Sequence, residues 1–389
     1  MTVRTGNKRS GRIKLGMVGG GEGSFIGAVH RFAARMDDQY ELVAGALASD
    51  AARAQSSGKA LGLAPERIYD NFVSMAQAEA ARPDGIEAVA IVTPNHMHVP
   101  VAQAFIEAGI HVICDKPLAL DMKQARQLEK QLARRKDVIF ALTHNYSGYP
   151  MIRQARAMVA AGELGDIRVV QGEYPQDWLT TDVERSGQKQ AQWRADPARA
   201  GAGGCIGDIG THAYQLMCFV SGLQPKELSA DLASFVKGRV LDDNAHVMLR
   251  FDNGAKGMLW ASQVAPGHEN GLQIRIYGSK GGLQWRQEEP NHLWFTPYGE
   301  PKRLLTRGGA GASAAANRLT RIPSGHPEGY LEGFANIYSE VAAAIIAARK
   351  HRRPDRQVTF PSIADGIAGM SFIQACVKSS AGNGRWTKL

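Results

Sequence analysis

The chain has 389 residues, 46 of them Lys or Arg and 37 Asp or Glu, giving a formal charge of +9. Hydrophobic residues make up 44% and charged residues 21%, which supports a sizeable core and excludes wholesale disorder. No apolar run approaches the ~20 residues of a membrane span, the basic start lacks the apolar stretch of a secretory signal, and Lys/Arg nowhere interleave with aromatics as on strand-binding surfaces. Neither a membrane nor a nucleic-acid partner is therefore expected. Cys114, Cys205, Cys218 and Cys376 show no close pairing or ligand spacing, so no disulfide framework or metal site is expected and the cytoplasm is the expected compartment.

Residues 1–11 read as a flexible basic tail. Ile13, Leu15, Met17 and Val18 predict a strand leading into the glycine-rich turn GGGEGSFIG (19–27) and a helix over 28–36. Further strands are predicted at 41–47, 85–93, 111–115 and 138–144, with helices over 49–61, 99–109 and 121–135. This alternation indicates parallel βαβ units and one doubly wound domain over 12–145. After Pro150 the pattern changes. A helix from 151 and a strand from 167 lead to a polar loop with Trp178 and Trp193, and the cluster AGAGGCIGDIG (200–210) opens a helix, THAYQLMCFV. LSADLASFV, AHVMLRF, AKGMLWASQV, LQIRIYG and GGLQW, separated by Asp/Asn/Gly turns, predict an antiparallel sheet. RGGAGASAAANR (307–318) reads as a mobile surface loop. Helices near 329–349 and 362–378 close an α/β domain assigned to 146–389.

A strand, a glycine turn and a helix in that order suit a dinucleotide. Glycine lets the turn bend tightly and lets the backbone approach a pyrophosphate, which the helix N-terminus then attracts. Gly19 and Gly21 supply the first two glycines. Gly23 comes too soon for the third, so Gly27 is read as the helix-packing glycine and Ser24, Phe25 and Ile26 as part of an enlarged cofactor turn. Alone, such a motif is equally compatible with a flexible turn. The acid that usually follows the second strand to bind ribose is replaced by Ala48, and Asp50 reads as a helix cap. Ser49 and Arg53 are candidates to hold a 2′-phosphate, Arg bidentately; alternatively Arg53 is a solvated helix residue. The expected cofactor is NAD(P), with NADP or dual use suspected.

IVTPNHMH (91–98) and HVICDKPLAL (111–120) resemble the Gfo/Idh/MocA oxidoreductases, whose pattern is TP-N-x-x-H followed by AG-x-HV-x-x-EKP. Asp115 replaces the usual Glu. GGCIGDIGTHAYQL (203–216) is similar to the family's GG-x-x-x-D-x-G-x-H-x-x-D, with Asp208 and His212 matching and Gln215 in place of an acid. The resemblance covers about residues 12–216. It implies a Rossmann domain and a C-terminal α/β domain with an open, mostly antiparallel sheet that often forms the interface of a homodimer or homotetramer. It also implies cofactor contacts at Thr93, Pro94, Asn95, His98, Asp115 and Lys116, and a catalytic lysine, aspartate and histidine, here Lys116, Asp208 and His212.

Oxidation of a secondary alcohol needs a hydride acceptor and a base. His212 is the candidate base, since the ordinary pKa of imidazole, about 6.5, lies near working pH. Asp208, four residues earlier, shares a helix face with it if the helix starts there, and Lys116 is suited to the reacting oxygen. By themselves the same residues also read as a cap, a helix histidine and a surface lysine. Tyr146, Trp193 and Arg194 are candidates for binding a polyhydroxylated ring, with ordinary packing as the alternative. His326 is a candidate for the same site or for a helix cap. His96 and His98 form an H-x-H pair without a third ligand, so no metal is expected. These features predict an NAD(P)-dependent oxidoreductase acting on a ring hydroxyl of a cyclic polyol or sugar. A glycosidase with transient oxidation and a non-catalytic dinucleotide sensor are the alternatives.

Overall fold

The computed structural model describes residues 11–389, the side chain of Lys189 excepted. Of the tail expected at 1–11, all but Gly11 lies outside the described residues. The chain forms two compact units. The first runs to Asn145 and takes in Tyr330–Ile367, and the second comprises Tyr146–Gly329 and Ala368–Leu389.

The first unit contains β1 (Ile13–Gly19), α1 (Phe25–Met36), β2 (Tyr40–Ala46), α2 (Ala51–Ala60), α3 (Phe72–Ala81), β3 (Ala88–Val92), α4 (His98–Glu107), β4 (His111–Cys114), α5 (Met122–Arg134) and β5 (Phe140–Leu142). Its five strands lie in the order β2-β1-β3-β4-β5, every pair parallel. This is the doubly wound order expected. All five residues of β3 are buried, as in a strand covered on both faces. Helix α1 begins at Phe25, three residues before the predicted start, because the Ser24 hydroxyl accepts the Gly27 amide and caps it there. Helix α3 is an addition to the predicted elements, and Asn71 caps it by accepting the Ser74 amide.

Beyond Asn145 the chain forms α6 (Pro150–Ala160), β6 (Ile167–Pro175), the short α7 (Lys189–Arg194) and α8 (Pro197–Ala200), a π-helical turn Ile206–Gly210 leading into α9 (Thr211–Ser221), β7 (Pro225–Ala233), β8 (Asn244–Phe251), β9 (Lys256–Ser262), β10 (Gln273–Gly278), β11 (Gly281–Arg286), β12 (His292–Pro297), β13 (Arg303–Thr306), α10 (Ala314–Asn317), α11 (Tyr330–Arg349), α12 (Ile363–Ala381) and β14 (Thr387–Lys388); all belong to the second unit except α11 and the start of α12, which belong to the first. Nine strands run β13-β12-β11-β10-β6-β9-β8-β7-β14, antiparallel except for β6 against β9. Along β8, Ala245, Val247, Leu249 and Phe251 are buried while His246, Met248 and Arg250 are exposed, the period of two of a sheet covered on one face. Gly172 lets α9 approach β6: a Cβ there would lie 2.7 Å from Met217 Sδ.

Two expectations are corrected. The stretch 307–318 is not a free loop. Arg307 is 2% exposed, donates to Glu328 Oε1 at 3.0 Å and to Asn291 Oδ1 at 2.7 Å, and also holds the carbonyls of Ile322, Pro323 and His326. A single buried guanidinium thus supplies the anchoring that small residues lack. The assignment of all of 146–389 to one domain also changes. Phe334, Ile337, Tyr338, Val341 and Ile345 of α11 join the core of the first unit with Val29 and Ala33 of α1. Although α11 is long and apolar enough to cross a membrane by composition, that apolarity faces a protein core.

Candidate active site

In the first unit, Gly19 and Gly20 adopt φ +75° and +72°, a region that L side chains rarely enter. A Cβ on Gly21 would lie 2.7 Å from Ser57 Oγ and 2.8 Å from the Leu47 carbonyl, and one on Gly27 would lie 2.4 Å from the Gly20 carbonyl. Gly27 is therefore the close-packing glycine of α1. The turn is held from three sides: the Gly21 amide donates to the Leu47 carbonyl at 3.2 Å, the Glu22 amide to Ser57 Oγ at 3.1 Å, and Arg31 Nη1 to the Gly20 carbonyl at 2.5 Å. Phe25 and Ile26 open the helix, so their backbone amides lie at its positive end. The Phe25 side chain is 69% exposed and its ring stacks with Tyr330 at 6.4 Å. A narrow backbone cradle that added Cβ atoms would fill, backed by a helix N-terminus, fits a dinucleotide pyrophosphate. Ser49 and Arg53 are exposed just beyond β2, and Asp50 caps α2 by accepting the Arg53 amide at 2.8 Å.

The turns after β3 and β4 carry Thr93, Pro94, Asn95, Asp115 and Lys116. Asp115 Oδ1 accepts the Lys116 amide and Thr143 Oγ1, both at 2.9 Å, and so braces the Lys116 turn against the end of β5. His98, expected at the cofactor, is 1% exposed and faces inward. Its Nδ1 lies 2.6 Å from the Pro117 carbonyl and its Nε2 2.9 Å from the Thr93 carbonyl. Both nitrogens thus face the turns that bear Asn95 and Lys116, so His98 contacts protein carbonyls on both sides. Burial lowers its pKa, against Asp115 and the two carbonyls, which raise it. Burial likewise lowers His144 to about 4, against Asp365, with the nearby Lys116 adding to the depression. Asn95 is buried. Cys114 is fully buried, and burial pushes its thiol pKa well up, so it packs as a core residue.

In the second unit, Asp208 sits within the π-helical turn and His212 one turn later in α9. Such wide turns inside helices are frequent at functional sites. Asp208 Oδ2 accepts Arg194 Nε at 3.2 Å and Gln263 Nε2 at 2.9 Å. Arg194 lies 4.2 Å over the Trp193 ring, and Nη1 of the same guanidinium donates to Gln190 Oε1 at 2.6 Å. His212, 7% exposed, meets Tyr146 edge to face at 4.9 Å. Tyr174 Oη donates to Asn270 Oδ1 at 2.8 Å, which leaves Tyr146 Oη as donor in the 2.5 Å contact between the two phenols. The same Asn270 oxygen accepts Gln176 Nε2, and Gln176 Oε1 accepts Trp178 Nε1. Arg194 also lies 6.0 Å from the Trp178 ring, which joins Tyr146, Trp193, Arg194, Asp208 and His212 in one polar, aromatic-walled network. His326 is not brought to it: its side chain is exposed and its carbonyl accepts from Arg307.

The sequence reading missed Gln263, Asn270, Asp242 and Asp243. Asp242 accepts the amides of Gly204 at 2.6 Å and Ile206 at 2.8 Å, capping the helical segment that carries Asp208. Burial raises its pKa, against those amides and the Cys205 thiol, which lower it. These residues come from strand ends and the loops beside them with no distinctive spacing; Gln263 bonds Asp208 itself, Asn270 bonds Tyr174 and Gln176, and Asp242 bonds the segment before Asp208.

Two family patterns match the chain: "Oxidoreductase family, NAD-binding Rossmann fold" over residues 13–144, and "GFO/IDH/MocA C-terminal domain" over residues 152–284. A solved oxidoreductase from Sinorhizobium meliloti is 60% identical, with a TM-score of 0.88 over 97% of this chain and 100% of that one. An inositol dehydrogenase homologue from Azotobacter vinelandii, complexed with NAD+, is 36% identical, with a TM-score of 0.95 over 99% of each chain, and the homologue has also been solved with NADH and myo-inositol. Levoglucosan dehydrogenase of Pseudarthrobacter phenanthrenivorans is 28% identical over 305 residues, 72% of this chain and 75% of its own. With both halves matched and a relative this similar covering nearly the whole chain, the protein belongs to the Gfo/Idh/MocA family of NAD-binding oxidoreductases.

Proposed function

We propose that the protein transfers a hydride between a nicotinamide cofactor and a ring hydroxyl or ketone of a cyclic polyol, sugar or sugar derivative. The observation that carries this reading is the convergence of Arg194 and Gln263 on one oxygen of Asp208, a turn before a histidine whose ring is braced by Tyr146. Polar groups set among aromatic faces suit a polyhydroxylated ring. The inositol- and levoglucosan-bound relatives support the same substrate class.

A bound nicotinamide supplies the hydride acceptor or donor. Gly19, Gly21, Ser24, Phe25 and Ile26 hold its pyrophosphate side, and Thr93, Pro94 and Asn95 its nicotinamide side. His212 takes the hydroxyl proton, Lys116 bonds the reacting oxygen and stabilises its developing charge, and Asp208 orients the ring being oxidised. Lys116→Ala and His212→Ala are each expected to lower kcat by about 10²–10⁴-fold, the usual worth of positioned acid–base groups, while leaving NADH binding by fluorescence titration within about twofold of wild type. Wild-type rates in both variants overturn the assignment. A screen of inositols, aldoses and anhydrosugars with NAD and with NADP identifies the substrate. Net release of reduced cofactor distinguishes a dehydrogenase from a glycosidase that oxidises only transiently.

Ala48, Ser49 and Arg53 support use of NADP, alone or beside NAD. Titration with NADH and NADPH tests this, and Arg53→Ala is expected to weaken NADPH selectively, by roughly tenfold, the loss of one charged phosphate contact. Tighter NADH binding in the wild type argues against it. Exposed Met248, Met258 and Tyr277 on the uncovered sheet face support a homodimer or homotetramer, to be measured by light scattering. Four free thiols accord with a cytoplasmic protein.

A further inference from the structure

The consecutive residues Asp242 and Asp243 have no part in the proposed chemistry, yet Asp242 holds the segment that carries Asp208, and Asp243 is tied to Gln263 and to the loop leading to Arg194, both of which bond Asp208. Asp242 holds the start of the catalytic helix with three oxygens, two of its carboxylate and one of its carbonyl. Its carboxylate accepts the Gly204 and Ile206 amides and the Cys205 thiol, and its carbonyl accepts the Cys205 amide at 2.8 Å. Three of the amides that a helix start leaves without intrahelical partners are thus taken by one residue. The fit is tight, since a Cβ on Gly204 would lie 2.0 Å from the Asp242 carbonyl oxygen.

Asp243 works on the other side. It is fully buried, and its carbonyl accepts the backbone amide of Gln263 at 2.8 Å. Gln263, itself 2% exposed, donates from its side chain to Asp208 Oδ2. The Asp243 carboxylate accepts the amides of Phe235 and Val236 and pairs with Arg239 at 3.0 Å. Arg239 in turn binds Glu184 and the carbonyls of Leu179 and Thr181, in the loop between β6 and α7 that leads to Arg194.

We propose that Asp242 and Asp243 are positioning residues that fix the Asp208 carboxylate, Asp242 through the helix that carries it and Asp243 through Gln263 and the Arg194 loop. The proposal rests on the catalytic role assigned to Asp208. In Asp242→Asn the side-chain NH2 must face one of the two helix amides, donor against donor, so that one capping bond is lost while volume is kept.

The test uses the full-length protein, with NAD and myo-inositol. Asp242→Asn is expected to bind NADH within about twofold of wild type and to lower kcat by about 10²-fold, the cost of misplacing a reacting group by about 1 Å, with KM for NAD unchanged. Combined with Asp208→Asn it is expected to add no further loss, because nothing remains to be positioned. Full kcat in the single variant, or losses that multiply in the double, overturns the proposal. Should Asp242→Asn fail to fold, Gln263→Leu removes only the last link and is expected to lower kcat by roughly tenfold, the worth of one lost charge-assisted hydrogen bond; unchanged kcat overturns the Asp243 route. If Asp208→Asn itself keeps wild-type kcat, or myo-inositol is not oxidised, it is the functional reading that fails. A crystal structure of Asp242→Asn then decides the positioning role: an Asp208 carboxylate displaced from Gln263 Nε2 supports it, and an unmoved one overturns it.

Discussion

At the scale of single residues, the glycine turn shows how much backbone geometry is fixed by the absence of a side chain. Gly27→Ala places a methyl group against the Gly20 backbone, where neither chain can swing away. Overpacking of this kind costs about 1–3 kcal/mol, so a lowered Tm and at least tenfold weaker NADH binding are expected from calorimetry and fluorescence titration. At Gly23 an added Cβ meets open space, and only the φ of +77° opposes it. Gly23→Ala is therefore expected to cost roughly 1 kcal/mol and to leave NADH affinity largely unchanged. His98 makes a different point. Its place in a TP-N-x-x-H turn suggested a cofactor contact, but both ring nitrogens are turned to carbonyls of the two turns it joins.

At the scale of elements, the first unit was the more legible. β3 and β5 are buried along their whole length, and α1, α2, α3 and α5 are capped by Ser24, Asp50, Asn71 and Asp121, so apolar runs and cap residues mark real boundaries, although α3 was not among the predicted helices. In the second unit β12, β13 and β14 escaped the pattern; β13 and β14 are too short to carry enough alternating positions to stand out, whereas β12 is as long as the predicted β10 and β11. Asp208 and His212 were legible through their motif, whereas Gln263 and Asp242–Asp243 were not, since their relation to Asp208 is created by strand pairing. Helix α11 was read correctly as a helix but assigned to the wrong unit. Tyr338 explains its docking in the first unit: its hydroxyl bonds His30 Nδ1 at 2.8 Å and its carbonyl accepts Tyr40 Oη at 2.9 Å. Tyr338→Phe leaves the buried His30 nitrogen without this partner, which costs about 1–3 kcal/mol, to be measured by urea unfolding.

At the scale of the molecule, buried histidines set the response to acid. Burial lowers His30 from 6.5 to about 4, and His144 is depressed to a similar value, also chiefly by burial. A base with a depressed folded pKa binds fewer protons folded than unfolded between the two values. Stability is therefore full above about pH 6.5 and falls as pH drops towards about 4, by up to about 3 kcal/mol for each such group. Tm is expected to decline steadily from pH 7 to pH 4.5, and His30→Gln to flatten that decline. A Tm independent of pH over this range contradicts the neutral buried state of these rings.

Hydrophobic periodicity, glycine placement and two short motifs were enough to determine a doubly wound dinucleotide unit and a second unit rich in antiparallel strands, and to single out Lys116, Asp208 and His212 for the proposed chemistry. Those features are local: each depends on residues a few positions apart, whose spacing maps directly onto the period of a strand or helix. Only the tertiary structure decided that α11 returns to the first unit, that Arg307 pins a low-complexity stretch, that Gln263 bonds Asp208, and that Asp242 and Asp243 hold the segments around that carboxylate. These depend on which buried donors and acceptors meet across strands far apart in sequence, and the chain in linear order carries no measure of that distance.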